Sequence, residues 1–165
     1  MHIIFVCHGN ICRSPMAEFI MKELCKNDSY IIESRATSFE EIGNDLYYLT
    51  KDILLKHHIP FTKHCATRIT KEEFNQADYV IVMDDNNLYN LKRIIGQTNK
   101  RIYKLLEFIG SNKDVADPWY SRNFALCYEE ISKACKSLYN KIKENEDENN
   151  WYALWYYYGS LPRKG

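Results

Sequence analysis

"HIIFVCHGNICRSP", residues 2–15, runs from a strand into a helix within a few residues. "HIIFV" is a short β-branched apolar run of the kind buried in a parallel sheet. Ser14 followed by Pro15 is a helix-start signal, with serine at the N-cap and proline at the first helical position. Cys7 to Ser14 therefore reads as a loop joining a strand end to a helix N-terminus.

The rest of the chain repeats the alternation. "DYVIVM" (78–83) is a second buried strand, "YIIES" (30–34) a weaker one and "RIYKL" (101–105) a fourth or edge strand. Between them Ala17, Ile20, Met21 and Leu24 share one helical face, as do Leu46, Leu49 and Ile53, and Leu88, Leu91 and Ile95. The longest period runs from Phe124 through Cys127, Ile131, Cys135 and Leu138 to Ile142. Strand alternating with helix predicts an α/β fold, a parallel sheet with helices on both faces in a Rossmann-like three-layer arrangement. Ligands of such sheets bind beyond the carboxyl ends of the strands, where Cys7 stands. "FIGSNKDVADPWYSRN" (108–123) has no period and reads as a long, functional loop.

One domain is expected over residues 1–143. Residues 144–165, "KENEDENN" and then "WYALWYYYGSLPRKG", read as an acidic linker and an aromatic tail, appended or disordered. Lys+Arg and Asp+Glu are both 22, and zero net charge argues against a general nucleic-acid binder while leaving room for a local phosphate site. No apolar run is long enough to span a membrane, and no secretory pattern opens the chain. Six cysteines without a CxxC pair predict reduced thiols in the cytoplasm and no metal site.

The first loop carries the chemistry. Unpaired N–H groups and the positive end of a helix dipole make it an anion site. Gly9 permits close backbone approach, Asn10 tolerates left-handed geometry, and Arg13 offers a planar fork that grips two phosphoryl oxygens. Helix N-termini and nearby cations favour the thiolate. Cys7 is thus expected to face the cradle as a nucleophile that attacks phosphorus and forms a phosphocysteine. The spacing is not that of a nucleotide-binding loop, which needs a lysine and further glycines.

These residues also carry a resemblance. "FVCHGNICRSPMAE" resembles the active-site signature of the low-molecular-weight protein tyrosine phosphatases, and the likeness extends to "SRATS", "HCATRITKEEF", "ADYVIVMDDNNLYNL" and "DPWY". It implies a four-stranded parallel sheet, no metal or organic cofactor, and an oxyanion such as inorganic phosphate in the active site. It implies a phosphotyrosine-containing protein as substrate, and a monomer with at most weak self-association. His8, Gly9, Asn10, Ile11, Cys12, Arg13 and Ser14 then form the phosphate-binding loop, and Asp117 is the general acid. Trp119 and Tyr120 wall the cleft where relatives usually have two tyrosines, and Phe39 with Glu40 stands opposite. Asn10, Ser14, Ser34 and His64 match a network that supports the loop, and Cys7 with Cys12 matches a reversible redox pair.

Three rival activities share this chemistry. Arsenate reductases need further redox cysteines after the "DYVIVM" strand, and none lies between Cys65 and Cys127. Protein-arginine phosphatases carry a threonine where this chain has Ile11. A phosphocysteine carrier must preserve its phosphoryl group, which Arg13 and Asp117 would hydrolyse.

Overall fold

Among the described residues four parallel strands form one sheet in the order β2-β1-β3-β4. They are β1 His2–Cys7, β2 Ile31–Ala36, β3 Tyr79–Val82 and β4 Tyr103–Lys104. The computed structural model describes residues 1–159. β1 is central: Cys7 pairs with Ala36 of β2, and Val6 pairs with Val82 of β3. β4 has two residues, so "RIYKL" contributes less edge strand than its pattern suggests. The chain turns there into a 3-10 turn over Leu105–Ile109.

Among the described residues six helices flank the sheet: α1 Arg13–Leu24, α2 Tyr48–Lys56, α3 Lys71–Gln76, α4 Asp85–Ile95, α5 Pro118–Ser121 and α6 Phe124–Tyr158. The period-2 alternation of β1 assigns its two faces. Ile3, Phe5 and Cys7 point into a core shared with Met16, Ile20, Ile131 and Leu138. Ile4 and Val6 point into a second core with Val80, Val82, Phe74 and Leu91. Ile3, Ile4, Phe5 and Val6 are fully buried, each contributing about 1.5–3 kcal/mol by leaving water. The apolar run is buried on both faces and therefore does not alternate with polar residues.

Local signals set several helix ends. Asp84 caps α4, accepting from the Asn87 N–H, and Gly96 ends it at φ +75°, where a side chain would be strained. Thr70 and Glu73 close a capping box on α3, a helix that the apolar pattern alone does not reveal. Ser14 departs from its expected role. α1 begins at Arg13 with Cys12 at the cap position, and no side chain caps it. The serine lies inside the first turn because its hydroxyl is held elsewhere.

The expected loop at 108–123 contains the end of the 3-10 turn and the short α5. The boundary expected at residue 143 falls within α6, and the acidic run read as a linker continues that helix to Tyr158. Its buried stripe ends at Ile142, beyond which the turns are largely exposed. Lys143 bonds Asp28 at 2.9 Å and Glu146 at 3.4 Å, joining the last packed turn to the first free one. Glu and Lys are good helix formers, so an acidic composition does not by itself break a helix already nucleated by packing. The final positions of the aromatic tail, 160–165, lie outside the described residues.

Candidate active site

Cys7 ends β1 at the carboxyl edge of the sheet, and its side chain is buried. The Asn10 N–H donates to Cys7 Sγ at 3.3 Å, and the Ser14 hydroxyl lies 2.9 Å from the same sulfur. Asn10 Nδ2 donates to the Ser14 hydroxyl oxygen at 2.9 Å, and the serine's own proton has the sulfur and, at 3.5 Å, the Arg35 carbonyl as acceptors. This is why Ser14 does not cap its helix.

Asn10 has φ 62°, a left-handed conformation that costs a residue with a Cβ about 1–2 kcal/mol. The surroundings over-determine it. Its Nδ2 also donates to Ser34 Oγ at 2.9 Å, and its Oδ1 accepts from the Thr67 N–H at 3.1 Å. His64 Nε2 lies 2.7 Å from the Asn10 carbonyl and must carry the proton there, because a carbonyl only accepts. Ser34 in turn donates to Glu18 Oε1 at 2.7 Å. A hydrogen-bonded chain thus runs from the thiol to a largely buried carboxylate on α1.

His64 is itself held, since its N–H donates to Asp45 Oδ1 at 2.9 Å. The Lys51 ammonium, the His64 N–H and the Leu46 N–H pull the Asp45 carboxyl down to about 2.

Arg13 is almost completely buried. Its guanidinium donates to Asp84 Oδ2 at 2.7 Å, the Val115 carbonyl at 2.8 Å and Asp117 Oδ2 at 3.4 Å. Burial opposes its charge, but Cys7, Asp117 and Asp84 outweigh that cost and raise its pKa. The Val115 N–H donates to the Met83 carbonyl at 2.9 Å, which pins the loop before Asp117 to the end of β3. Asp117 caps α5 through the Trp119 N–H at 3.0 Å, and Pro118 occupies the first helical position. One carboxylate oxygen is used in the cap and the other faces Arg13.

These groups meet in a cleft of about 80 Å³ lined by the Cys7–Arg13 loop, Glu40, Glu41, Asp117, Trp119 and Tyr120. Trp119 packs against Tyr47 with ring centroids 4.9 Å apart, and Tyr120 is exposed at the mouth. His8 stands at the rim, 3.0 Å from Glu40. Gly9 has room for a Cβ only if Glu41 yields, its Cγ being 3.3 Å away. Ser14, Ser34 and His64 lie buried behind the loop rather than in the cleft.

Phe39 does not take the place expected of it. It is exposed and stacks under the Arg68 guanidinium, 4.2 Å from the ring centroid, while Glu40 and Glu41 form the opposite wall. Cation–π stacking outside the cleft gives the ring a partner that the sequence pattern could not show. Cys12 is a free thiol, pushed up to about 12 chiefly by burial, with Cys7 and Asp117 adding to the shift. Among the described residues no group of three or more His, Cys, Asp or Glu side chains is placed to hold a metal ion.

Three contributors escape sequence reasoning. Asp84 holds Arg13, Glu18 ends the network behind the loop, and Tyr47 backs Trp119. Asp84 had a signal, an acid directly after a strand at the carboxyl edge. Glu18 had a fainter one, a charge on the buried face of α1.

Fold and site together define a phosphate-handling α/β protein with a cysteine at the end of its first strand. Residues 2–148 match the family of low molecular weight phosphotyrosine protein phosphatases, and the chain belongs to that family. A curated relative, the low molecular weight protein-tyrosine-phosphatase PtpA of Staphylococcus epidermidis, is 36% identical over 86% of this chain and 94% of its own. The crystal structure of a low molecular weight protein tyrosine phosphatase from Streptococcus pyogenes superposes with a TM-score of 0.77 at 42% identity, covering 85% of this chain and 91% of that one. A Drosophila arginine phosphatase is similar at 26% identity and TM-score 0.79, covering 87% of this chain and 98% of its own.

Proposed function

We propose that this chain hydrolyses phosphotyrosine in proteins, and small aryl phosphates, through a phosphocysteine. The observation that carries the reading is the meeting of a buried thiol, an arginine fork and a capped carboxylate in one small cleft. In the first step Cys7 Sγ, as thiolate, forms a bond to phosphorus while the bond to the tyrosyl oxygen breaks. The departing oxygen takes a proton from Asp117 and leaves as a phenol. Loop N–H groups and Arg13 bind the three phosphoryl oxygens, where charge is carried through the transition state. In the second step Asp117, now a carboxylate, accepts a proton from water as that water attacks phosphorus. The S–P bond breaks, inorganic phosphate forms, and the Ser14 hydroxyl steadies the returning thiolate.

The left-handed Asn10 aims its N–H at the sulfur and curves the loop around an oxyanion. Asn10, Ser14, Ser34 and His64 act as positioning residues that impose this curvature from behind. Ile11 in the cleft, with Trp119 and Tyr120 at its mouth, favours a flat aryl group over a guanidinium. The proposal includes a cytoplasmic, monomeric enzyme that acts without a metal or organic cofactor; sedimentation mass and turnover in the presence of a chelator test the last two points.

Steady-state turnover of p-nitrophenyl phosphate by wild type and Cys7→Ser tests the core of the reading. The expected result is turnover by wild type and none by the variant. Cys7→Ser activity near wild type would overturn the mechanism. A phosphotyrosine peptide compared with a phosphoarginine peptide tests the substrate class, with preference for the first expected.

A further inference from the structure

A second polar cleft, of about 290 Å³, is lined by Thr37, Arg68, Asn90, Arg93 and Ile94. Two observations make it a site rather than a surface hollow. First, it holds two guanidiniums that lack carboxylates. Among the described residues the ion-paired arginines are Arg13, Arg35 and Arg101, and neither Arg68 nor Arg93 has an acidic partner. Arg68 spends one N–H on the Thr37 carbonyl at 3.1 Å and stacks on Phe39, which fixes its plane while leaving its other donors free. Second, Thr37 is 6% exposed, and among the described residues its buried hydroxyl has no hydrogen-bond partner. Buried hydroxyls without partners are uncommon, and Thr37 belongs to the lining of a cleft rich in donors.

The chemistry selected is that of an oxyanion. Paired guanidiniums match carboxylate and phosphate geometry, and the Asn90 amide can complete the shell. Only Ile94 is apolar, so an extended hydrophobic ligand has little to bury.

The cleft is tied to the active site through backbone. The Thr37 N–H donates to the Cys7 carbonyl at 2.9 Å, and the Ser38 N–H donates to the His8 carbonyl at 3.0 Å. Three and four residues after Thr37, Glu40 and Glu41 line the catalytic cleft. A chain advances at most about 3.6 Å per residue, so Thr37 and Glu41 are no more than about 14 Å apart. An extended peptide covers that span in about four residues.

We propose that this cleft is a substrate subsite that receives an acidic side chain, carboxylate or phosphate, lying within about four residues of the phosphotyrosine. The inference rests on the phosphatase reading above. It divides specificity between two places: the catalytic cleft takes the phosphoryl group, and Arg68 with Arg93 reads the acidic neighbour. The acidic rim formed by Glu40 and Glu41 repels a misplaced acid and so sharpens the register.

The test walks one glutamate through positions −4 to +4 of an otherwise uncharged phosphotyrosine peptide and measures kcat/KM. Wild type, Arg93→Glu and Arg93→Lys are compared, with p-nitrophenyl phosphate as a substrate too small to reach the subsite. One or two glutamate positions are expected to raise wild-type kcat/KM roughly fivefold, through KM, as an exposed ion pair allows. Arg93→Glu is expected to abolish that preference, Arg93→Lys to retain part of it, and both to turn over p-nitrophenyl phosphate like wild type. A flat glutamate series, or a preference that survives Arg93→Glu, would overturn the subsite. So would inorganic phosphate binding that is lost in Arg93→Glu without any peptide preference, since it assigns the cleft to a free anion. Failure of wild type on p-nitrophenyl phosphate would instead reject the phosphatase reading itself.

Discussion

Asp84 performs two tasks with two oxygens, and substitution can separate them. Oδ2 accepts from Arg13 at 2.7 Å, whereas Oδ1 accepts from the Asn87 N–H at 2.7 Å and caps α4. The pair with Arg13 is well shielded, the side chains being 3% and 16% exposed. A hydrogen bond to a charged group is worth about 1.5–3 kcal/mol. If that energy holds the guanidinium where the transferring phosphoryl group needs it, its loss lowers kcat about 10- to 150-fold. Asp84→Asn retains a good capping residue and removes the charge, so it should lose this activity together with the stability that the buried pair contributes. Asp84→Ala should lose the same activity and, in addition, about 1 kcal/mol of stability from the missing cap. For a domain of this size that is about 2–4 °C in Tm. The assay is kcat and KM on p-nitrophenyl phosphate beside thermal unfolding of both variants. Wild-type kcat in Asp84→Asn would refute the claim that Asp84 orients Arg13. An equal Tm loss in both variants would refute the division of labour.

Other consequences follow from the same geometry. Asp117→Ala should lower kcat about 10²- to 10⁴-fold, and the loss should be larger for phenyl phosphate than for p-nitrophenyl phosphate, whose leaving group needs a proton less; equal losses on the two esters would remove Asp117 from proton transfer. The Asp45 carboxyl is held down to about 2, below its ordinary 3.8, chiefly by Lys51 and the His64 N–H. A depressed carboxyl stabilises the fold above its unfolded pKa and loses that contribution as pH falls through the folded value. Urea unfolding should therefore show Asp45→Asn less stable than wild type at pH 6, with the difference closing toward pH 2; a pH-independent difference would count against the linkage. Cys12 is buried and strongly disfavoured as a thiolate, so it can guard Cys7 only once the loop opens or Cys7 is oxidised. Peroxide-inactivated wild type should recover with added thiol, and Cys12→Ser should not; identical recovery would dismiss the guard.

Much of the fold was legible because it rests on short-range pattern. β1, β3 and the helices α1, α4 and α6 appear as apolar runs and 3.6-residue stripes, and the strand–loop–helix unit around Cys7 follows from them. Four features misled or hid. The acidic run after Ile142 looked like a linker, but a helix held by its buried stripe continues through charged residues that favour helix. Ser14 looked like an N-cap, yet a stronger demand from the sulfur and Asn10 claims its hydroxyl. Phe39 looked like a cleft wall, and Arg68 captured it from a distant part of the chain. Asp84 is hidden from local pattern because its partnership with Arg13 joins residues 71 positions apart.

What the sequence determined by itself was the loop that holds the proposed nucleophile and its cradle. Cys7, Gly9, Asn10, Arg13 and Pro15 lie within one loop, where chain connectivity alone brings thiol, amides and guanidinium together. What only the tertiary structure decided was the company they keep. Asp117 arrives from a loop pinned to β3, His64 and Ser34 from behind the sheet edge, and Asp84 from the cap of α4. Their positions depend on strand order and helix packing, which no local run of residues encodes. The second arginine cleft belongs to the same class, because Thr37, Arg68 and Arg93 become neighbours only when the end of β2, the segment after His64 and α4 pack together.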